Sequence, residues 1–78
     1  MKKALILTWE KFQDVELLYA YYKLQEEFEV DVAANKIGLI YGINGVKTKA
    51  NVLICQHGLT KNGAGVGAHD YDLVVVVG

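Results

Sequence analysis

The run Leu73-Val74-Val75-Val76-Val77 constrains this chain more than any other stretch. Branched side chains lose χ1 freedom against a helical turn and pack well on a pleated surface, so the run reads as a strand. Because it is unbroken rather than alternating, it predicts a central strand of a parallel sheet, buried on both faces. Such a strand needs neighbours on either side and helices above and below it. The 78 residues make at most one domain, and a chain this short buries only about 60–65% of its unfolded surface. Yet 53% of the residues are hydrophobic. The chain is therefore expected to be part of a larger domain, or to complete its core with a companion chain.

The preceding residues supply a framework for that strand. Ala4 to Thr8 is a short apolar run ending at a polar residue, a candidate buried strand. Trp9 to Gln13 connects it to a helix predicted over Asp14 to Phe28. Asp14 is placed to cap the free amides of the first turn, and Glu16 lies in that turn, where the helix dipole favours negative charge. At 100° per residue, Leu17, Tyr21, Leu24 and Phe28 form one apolar stripe, and Val15, Leu18 and Tyr22 form an adjoining one. One stripe covers a sheet. The second is more than a surface helix needs and predicts contact with another helix or subunit. Glu29 to Ala34 is a second strand, so strand, helix and strand make a βαβ unit with parallel strands. Ile37 to Ile54 reads as a hairpin turning at Asn44-Gly45, since both residues tolerate positive φ. Gln56 to Ala68 holds several glycines without periodicity and reads as a flexible loop.

Composition excludes several function classes. A formal charge of −1 without a basic stripe gives no footprint for nucleic acid. Cys55 is the single cysteine, which excludes an intrachain disulfide and fits a reducing, cytoplasmic compartment. The apolar segment after Lys3 is too short for a signal peptide, and no segment reaches the roughly 20 apolar residues of a membrane span.

Four groups of residues are candidates for chemistry. Glu16 has two readings: an acid placed for the dipole and for solubility, or a carboxyl delivered to the crevice beyond the carboxyl ends of parallel strands, where ligands bind. Between apolar neighbours it would be partly desolvated and would hold its proton longer. Cys55 and His57 invite a thiolate–imidazole reading, but no strand-to-helix elbow follows, and a small strand-edge cysteine is the plainer account. Metal binding by Cys55, His57 and His69 matches no compact zinc spacing. Gly63-Ala64-Gly65-Val66-Gly67 precedes a strand instead of opening a helix, so it lacks a phosphate cradle and reads as a loop. Trp9 either packs into the core or lines the mouth of the crevice.

These residues also resemble a family. Lys3-Ala4-Leu5-Ile6-Leu7-Thr8, then Phe12-x-Asp14-x-Glu16-Leu17-Leu18-Tyr19-x-Tyr21-Tyr22-x-Leu24-x-Glu26-Glu27, then Glu29-Val30-Asp31-Val32-Ala33-Ala34 is similar to the opening of the ThiJ/PfpI family. That family includes the parkinsonism-associated deglycase and the PfpI-type archaeal proteases, and it belongs with the class I glutamine-amidotransferase-like folds. The likeness continues through Gly42-x-x-Gly45 and through Asp70-Tyr71-Asp72-x-Val74-Val75-Val76-x-Gly78.

The resemblance implies a flavodoxin-like α/β/α sandwich with a mainly parallel sheet, usually dimeric. It implies a nucleophilic cysteine at an Ala-x-Cys-His-Gly elbow that would lie beyond Gly78, so that this chain alone would lack the nucleophile. By motif position Glu16 is the glutamate that hydrogen-bonds the thiol, and Gly78 is the first of two glycines bordering the oxyanion site. Cys55 falls before the valine strand and is not that nucleophile. Ala20 stands where the family usually has proline, and Gln13 where many members have a further acid. The implied activity is that of a cysteine-dependent hydrolase, protease, glyoxalase or deglycase acting on reactive aldehydes, glycated adducts or peptides. Neither cofactor nor metal is implied. The implied partners are the remainder of the domain or a companion chain, and further copies in a homo-oligomer. The other reading of the same fold is a non-catalytic subunit or a stress-protective binding module.

Overall fold

The computed structural model describes residues 2–55 and 58–78. The elements run β1 (Lys2–Leu7), α1 (Asp14–Gln25), β2 (Phe28–Ala34), β3 (Gly38–Tyr41), β4 (Lys47–Ala50), β5 (Val52–Cys55), β6 (Gly58–Lys61), β7 (Ala64–Val66), a 3₁₀ turn (Ala68–Asp70) and β8 (Leu73–Val76). A six-stranded mixed sheet has the order β7-β6-β5-β2-β1-β8, and β3 with β4 forms a separate two-stranded ribbon. β5, β2, β1 and β8 pair in parallel, with Leu5 opposite both Asp31 and Val74. The expected βαβ unit and valine strand are present in a mainly parallel, flavodoxin-like arrangement.

One face of the sheet carries α1. Leu17 is fully buried with Ile6, Phe12, Val32, Ala34 and Ile40, and Ala20, Tyr21 and Leu24 pack against this cluster. The stripe predicted by helical spacing is thus the stripe that covers the sheet. Burying a side chain such as Leu17 completely stabilises the fold by roughly 1.5–3 kcal/mol. The opposite face holds a smaller cluster of Leu5, Ala33 and Val52, with Leu7, Ile54, Leu59, Val66 and Tyr71 against it.

Several expectations are corrected. α1 ends at Gln25, not Phe28: the Glu27 amide turns back to the Leu24 carbonyl, and Phe28 becomes the first residue of β2. Ile37 to Ile54 is not one hairpin. Its second strand stops at Ala50, and the chain crosses to β2, where Val52 and Leu53 pair in parallel with Ala33 and Ala34. Asn51 makes the crossing possible. Its amide donates to the Val32 carbonyl and its side-chain oxygen accepts from the Val32 amide, so it stands in for a strand residue at the break.

Asn44-Gly45 does not form a two-residue turn with both residues at positive φ. The Gly42 amide donates to the Val46 carbonyl, leaving a three-residue loop in which Gly45 takes φ +89°. The flexible loop expected over Gln56 to Ala68 contains a hairpin, β6–β7. Its turn is Asn62-Gly63, with φ values of 55° and 80°, the pair of left-handed residues that matches strand twist. Gln56 and His57 lie outside the described residues, and the thiolate–imidazole reading of Cys55 with His57 lies outside them too. Finally, β8 stands at the edge of the described sheet instead of its centre. Val75 packs on the α1 side, while Val76 is 75% exposed on the other.

Candidate functional site

The strand order fixes where a site belongs. From β1 the chain connects to β2 on one side, and β8 lies on the other, so the topological switch point falls between the carboxyl ends of β1 and β8. Thr8, Trp9, Val77 and Gly78 converge there. The Val77 amide donates to the Leu7 carbonyl, and the Thr8 hydroxyl donates to the Val77 carbonyl at 3.4 Å. The Gln13 amide, at the residue preceding α1, donates to the Gly78 carbonyl at 2.7 Å. The start of α1 and the end of β8 are thereby tied together.

The connection between β1 and α1 is held from other sides as well. The Glu10 amide donates to Asn35 Oδ1, the Glu10 carboxylate pairs with Lys36 at 2.9 Å, and the Lys11 amide donates to the Tyr41 carbonyl at 2.7 Å. Lys11 sits at φ 69°, a left-handed conformation that costs a non-glycine residue about 1–2 kcal/mol. It persists because its neighbours are pinned.

Beside these residues a cavity of about 460 Å³ opens on the sheet face opposite α1, lined chiefly by Leu7, Trp9, Ile54, Leu59, Val76 and Gly78. Trp9 is 56% exposed. It stands among the residues around this cavity and outside the buried core. Its cavity is almost wholly apolar, so it would orient a ligand by shape and leave polar recognition to the backbone at its rim.

Glu16 lies in the first turn of α1 and is exposed. The expected partial desolvation is not found, because the apolar neighbours Val15 and Leu18 turn away from the core or only half into it. Among the described residues Glu16 has no hydrogen-bond or ion-pair partner. The structure therefore brings Trp9 and Gly78 to one cavity and places Glu16 on the adjoining helix turn, outside the cavity lining.

Asp14 behaves differently from the cap it was expected to be. Gln13 occupies the cap position, without a side-chain cap bond. The buried Asp14 carboxylate instead accepts from the Asn44 and Val46 amides at 2.9 and 2.8 Å, clasping the β3–β4 loop to α1. Burial raises its pKa, but the hydrogen bonds outweigh this and hold it below the ordinary carboxylate value. The clasp explains Gly42: a Cβ there would run into the Asp14 carboxylate.

Sequence reasoning missed a second buried carboxylate. Asp31, in the middle of β2, accepts from Asn51 Nδ2 at 2.7 Å, Tyr71 Oη at 2.8 Å and Lys61 Nζ at 2.9 Å. Burial raises its pKa, and the three donors, led by Lys61, more than reverse that and lower it. Burial and the adjacent Asp31 push the Tyr71 hydroxyl well above its usual range. The signal was an acid in the middle of a strand expected to be covered, which demands partners. The partners themselves come from remote segments that spacing does not connect. Cys55 is an exposed thiol donating to the Gly58 carbonyl at 3.1 Å. Among the described residues no group of three acidic, histidine or cysteine side chains is placed to hold a metal, and no helix is long and apolar enough to cross a membrane.

Comparison with known proteins gives a consistent picture. The chain is 43% identical over 51 residues to the deglycase PH1704 of Pyrococcus horikoshii, covering 64% of this chain and 31% of that protein. It is 50% identical over 44 residues to the deglycase PYRAB04690 of Pyrococcus abyssi, covering 55% and 26%. It is also similar to the deglycase PfpI of Pyrococcus furiosus, at 41% identity over 51 residues, 64% of this chain and 31% of that protein. The aligned part thus amounts to under a third of these relatives' length. In fold, the structure matches a ThiJ/PfpI domain protein from Brachyspira murdochii with a TM-score of 0.77 and 24% identity, over 100% of this chain and 42% of that one. The sequence profile of the DJ-1/PfpI family matches residues 2–78, and the chain belongs to that family.

Proposed function

We propose that residues 1–78 form the N-terminal part of a single DJ-1/PfpI domain whose complete form is a cysteine-dependent enzyme. Its substrates would be reactive aldehydes, glycated adducts or peptides, by hydrolase, glyoxalase or deglycase chemistry. The names of the archaeal relatives support the deglycase branch. The observation that carries the reading is Glu16: an exposed carboxylate, without a partner among the described residues, in the first turn of the helix whose preceding residue, Gln13, donates to the Gly78 carbonyl.

In this reading a thiol from outside these residues gives up its proton to solvent and attacks a carbonyl carbon as the thiolate, forming a C–S bond as the carbonyl π electrons move to oxygen. Glu16 hydrogen-bonds and orients the thiol, and the backbone amide of Gly78 contributes to the donors facing the developing oxyanion. Trp9 and the apolar cavity position the rest of the substrate. The working protein would be a homo-oligomer in a reducing, cytoplasmic setting.

The test measures consumption of a small α-oxoaldehyde by the complete protein. Glu16→Gln should lower kcat/KM by about 10- to 100-fold, whereas Cys55→Ser should leave it unchanged. Loss of activity in Cys55→Ser with full activity in Glu16→Gln would contradict the assignment.

A further inference from the structure

The loop from β1 to α1 is held at every residue from Glu10 to Gln13, and its holders are of two kinds. Three are bonds between backbone groups. The Lys11 amide donates to the Tyr41 carbonyl, the Phe12 carbonyl accepts from the Ile43 amide at 2.9 Å, and the Gln13 amide donates to the Gly78 carbonyl. Such bonds need no particular side chains. Glu10 is held differently. Its amide donates to Asn35 Oδ1 at 3.3 Å, and its carboxylate meets Lys36 Nζ at 2.9 Å. Asn35 and Lys36 follow the carboxyl end of β2 and grip the loop through their side chains.

Glu10 stands between two residues whose placement matters to the site. Trp9, before it, is among the residues around the cavity. Lys11, after it, is held at φ 69°. A free lysine leaves that left-handed region, because its Cβ crowds the following carbonyl oxygen. Phe12, 1% exposed, is seated in the core and cannot yield on the other side. Only Phe12 and Gln13 separate Lys11 from the start of α1. A relaxed Lys11 therefore redirects the entry to the helix, and with it Glu16 and the bond from Gln13 to Gly78. The Glu10 and Lys36 side chains are 33% and 48% exposed. A pair so placed is weak and screened by salt. It sets how often the loop holds this geometry without deciding whether the chain folds.

We infer that Glu10, Asn35 and Lys36 are positioning residues: they latch the β1–α1 loop in the geometry that fixes Trp9 and the first turn of α1 relative to Gly78. This rests on the role proposed for Glu16 and adds the groups that hold it in place.

Amide hydrogen exchange in the complete protein tests the latch, and alkylation of the nucleophilic thiol tests its use. Glu10→Gln and Lys36→Met should each speed exchange of the Lys11 and Gln13 amides by about two- to fivefold, with the amides of β1 and the circular dichroism unchanged. Each should move the alkylation rate in the same direction as Glu16→Gln, by a smaller factor. Salt at about 0.5 M should do the same to the wild type and nothing further to the variants. The charge swap Glu10→Lys/Lys36→Glu should restore both rates, which a loss of packing alone would not allow. Unchanged loop exchange in the single variants, or a swap that restores neither rate, would overturn the latch and leave the role of Glu16 standing. Faster exchange with unaltered alkylation, where Glu16→Gln does alter it, would overturn the positioning role. Alkylation indifferent to Glu16→Gln itself would overturn the role of Glu16 and this inference with it.

Discussion

Asp14 and Glu16 stand two residues apart in the first turn of one helix, and the same dipole favours both. Their fates diverge. Asp14 is buried and its oxygens are occupied by the Asn44 and Val46 amides. Glu16 is exposed, lies outside the cavity lining, and its side chain has no partner among the described residues. Two residues along a helix is a rotation of about 200°, enough to turn one carboxylate into the fold and the other out of it. Asp31 shares the fate of Asp14, with three donors around it. Carboxylates with preset donors hold segments together, and a carboxylate left without them remains available for chemistry. Perturbing each kind should therefore move different observables.

The largest stability effect is expected at Asp31. Asp31→Ala leaves Asn51, Lys61 and Tyr71 without their acceptor, at a cost of about 2–3 kcal/mol, with Lys61 partly rescued by water. In the complete protein, if its domain runs to about 150–250 residues, the thermal midpoint should fall by roughly 4–12 °C. The pH dependence follows from the same group. Its pKa is lowered from the ordinary value of 3.8, so its contribution is complete above that value and is lost as pH falls through the lower folded value. Asp14 acts in the same direction. Stability should drop on acidification below about pH 4, and Asp31→Asn should flatten that acid limb. A variant with an unchanged acid limb would remove Asp31 from the structural class.

The next effect is at Gly42. Gly42→Ala drives a methyl group into the Asp14 carboxylate and should cost about 1–3 kcal/mol. In Asp14→Ala/Gly42→Ala the losses should be less than additive, since the atoms in conflict are gone. Additive losses in urea melts would show that the clasp does not explain the glycine. Smaller still, Lys11→Gly should stabilise by about 1 kcal/mol by relieving a left-handed lysine. A destabilised variant would mean that the Lys11 side chain contributes more than its backbone costs.

Much of this was legible in the sequence, for identifiable reasons. Periodicity placed Leu17, Tyr21 and Leu24 on the sheet because a stripe at 3.6 residues has one simple use. The βαβ unit and the valine strand followed from unbroken apolar runs. The ribbon's strands were found, but the crossing at Asn51 was not, because a side chain replacing a strand residue leaves no compositional mark. The β6–β7 hairpin carries its own turn signal. Asn62-Gly63 is the same turn signal as Asn44-Gly45, obscured by surrounding glycines, and it is the one that adopts two left-handed residues. The edge position of β8 depends on what pairs beside it, which its own residues do not encode. For the candidate site, the expectation for Trp9 rests on its place in the loop before the helix and that for Gly78 on the family resemblance, whereas the exposure of Glu16 depends on the fold.

Glu16→Gln should leave the unfolding free energy within about 0.5 kcal/mol of wild type, as for an exposed side chain without partners. Its effect belongs to the thiol instead. The most direct measurement is therefore the thiol titration of the nucleophile in the complete protein, followed by thiolate absorbance or alkylation rate, for wild type and Glu16→Gln. Glu16→Gln should shift the thiol pKa and change the rate of its alkylation or oxidation, with the fold unchanged. Superimposable titrations would contradict it and return Glu16 to an ordinary acid at the start of a helix.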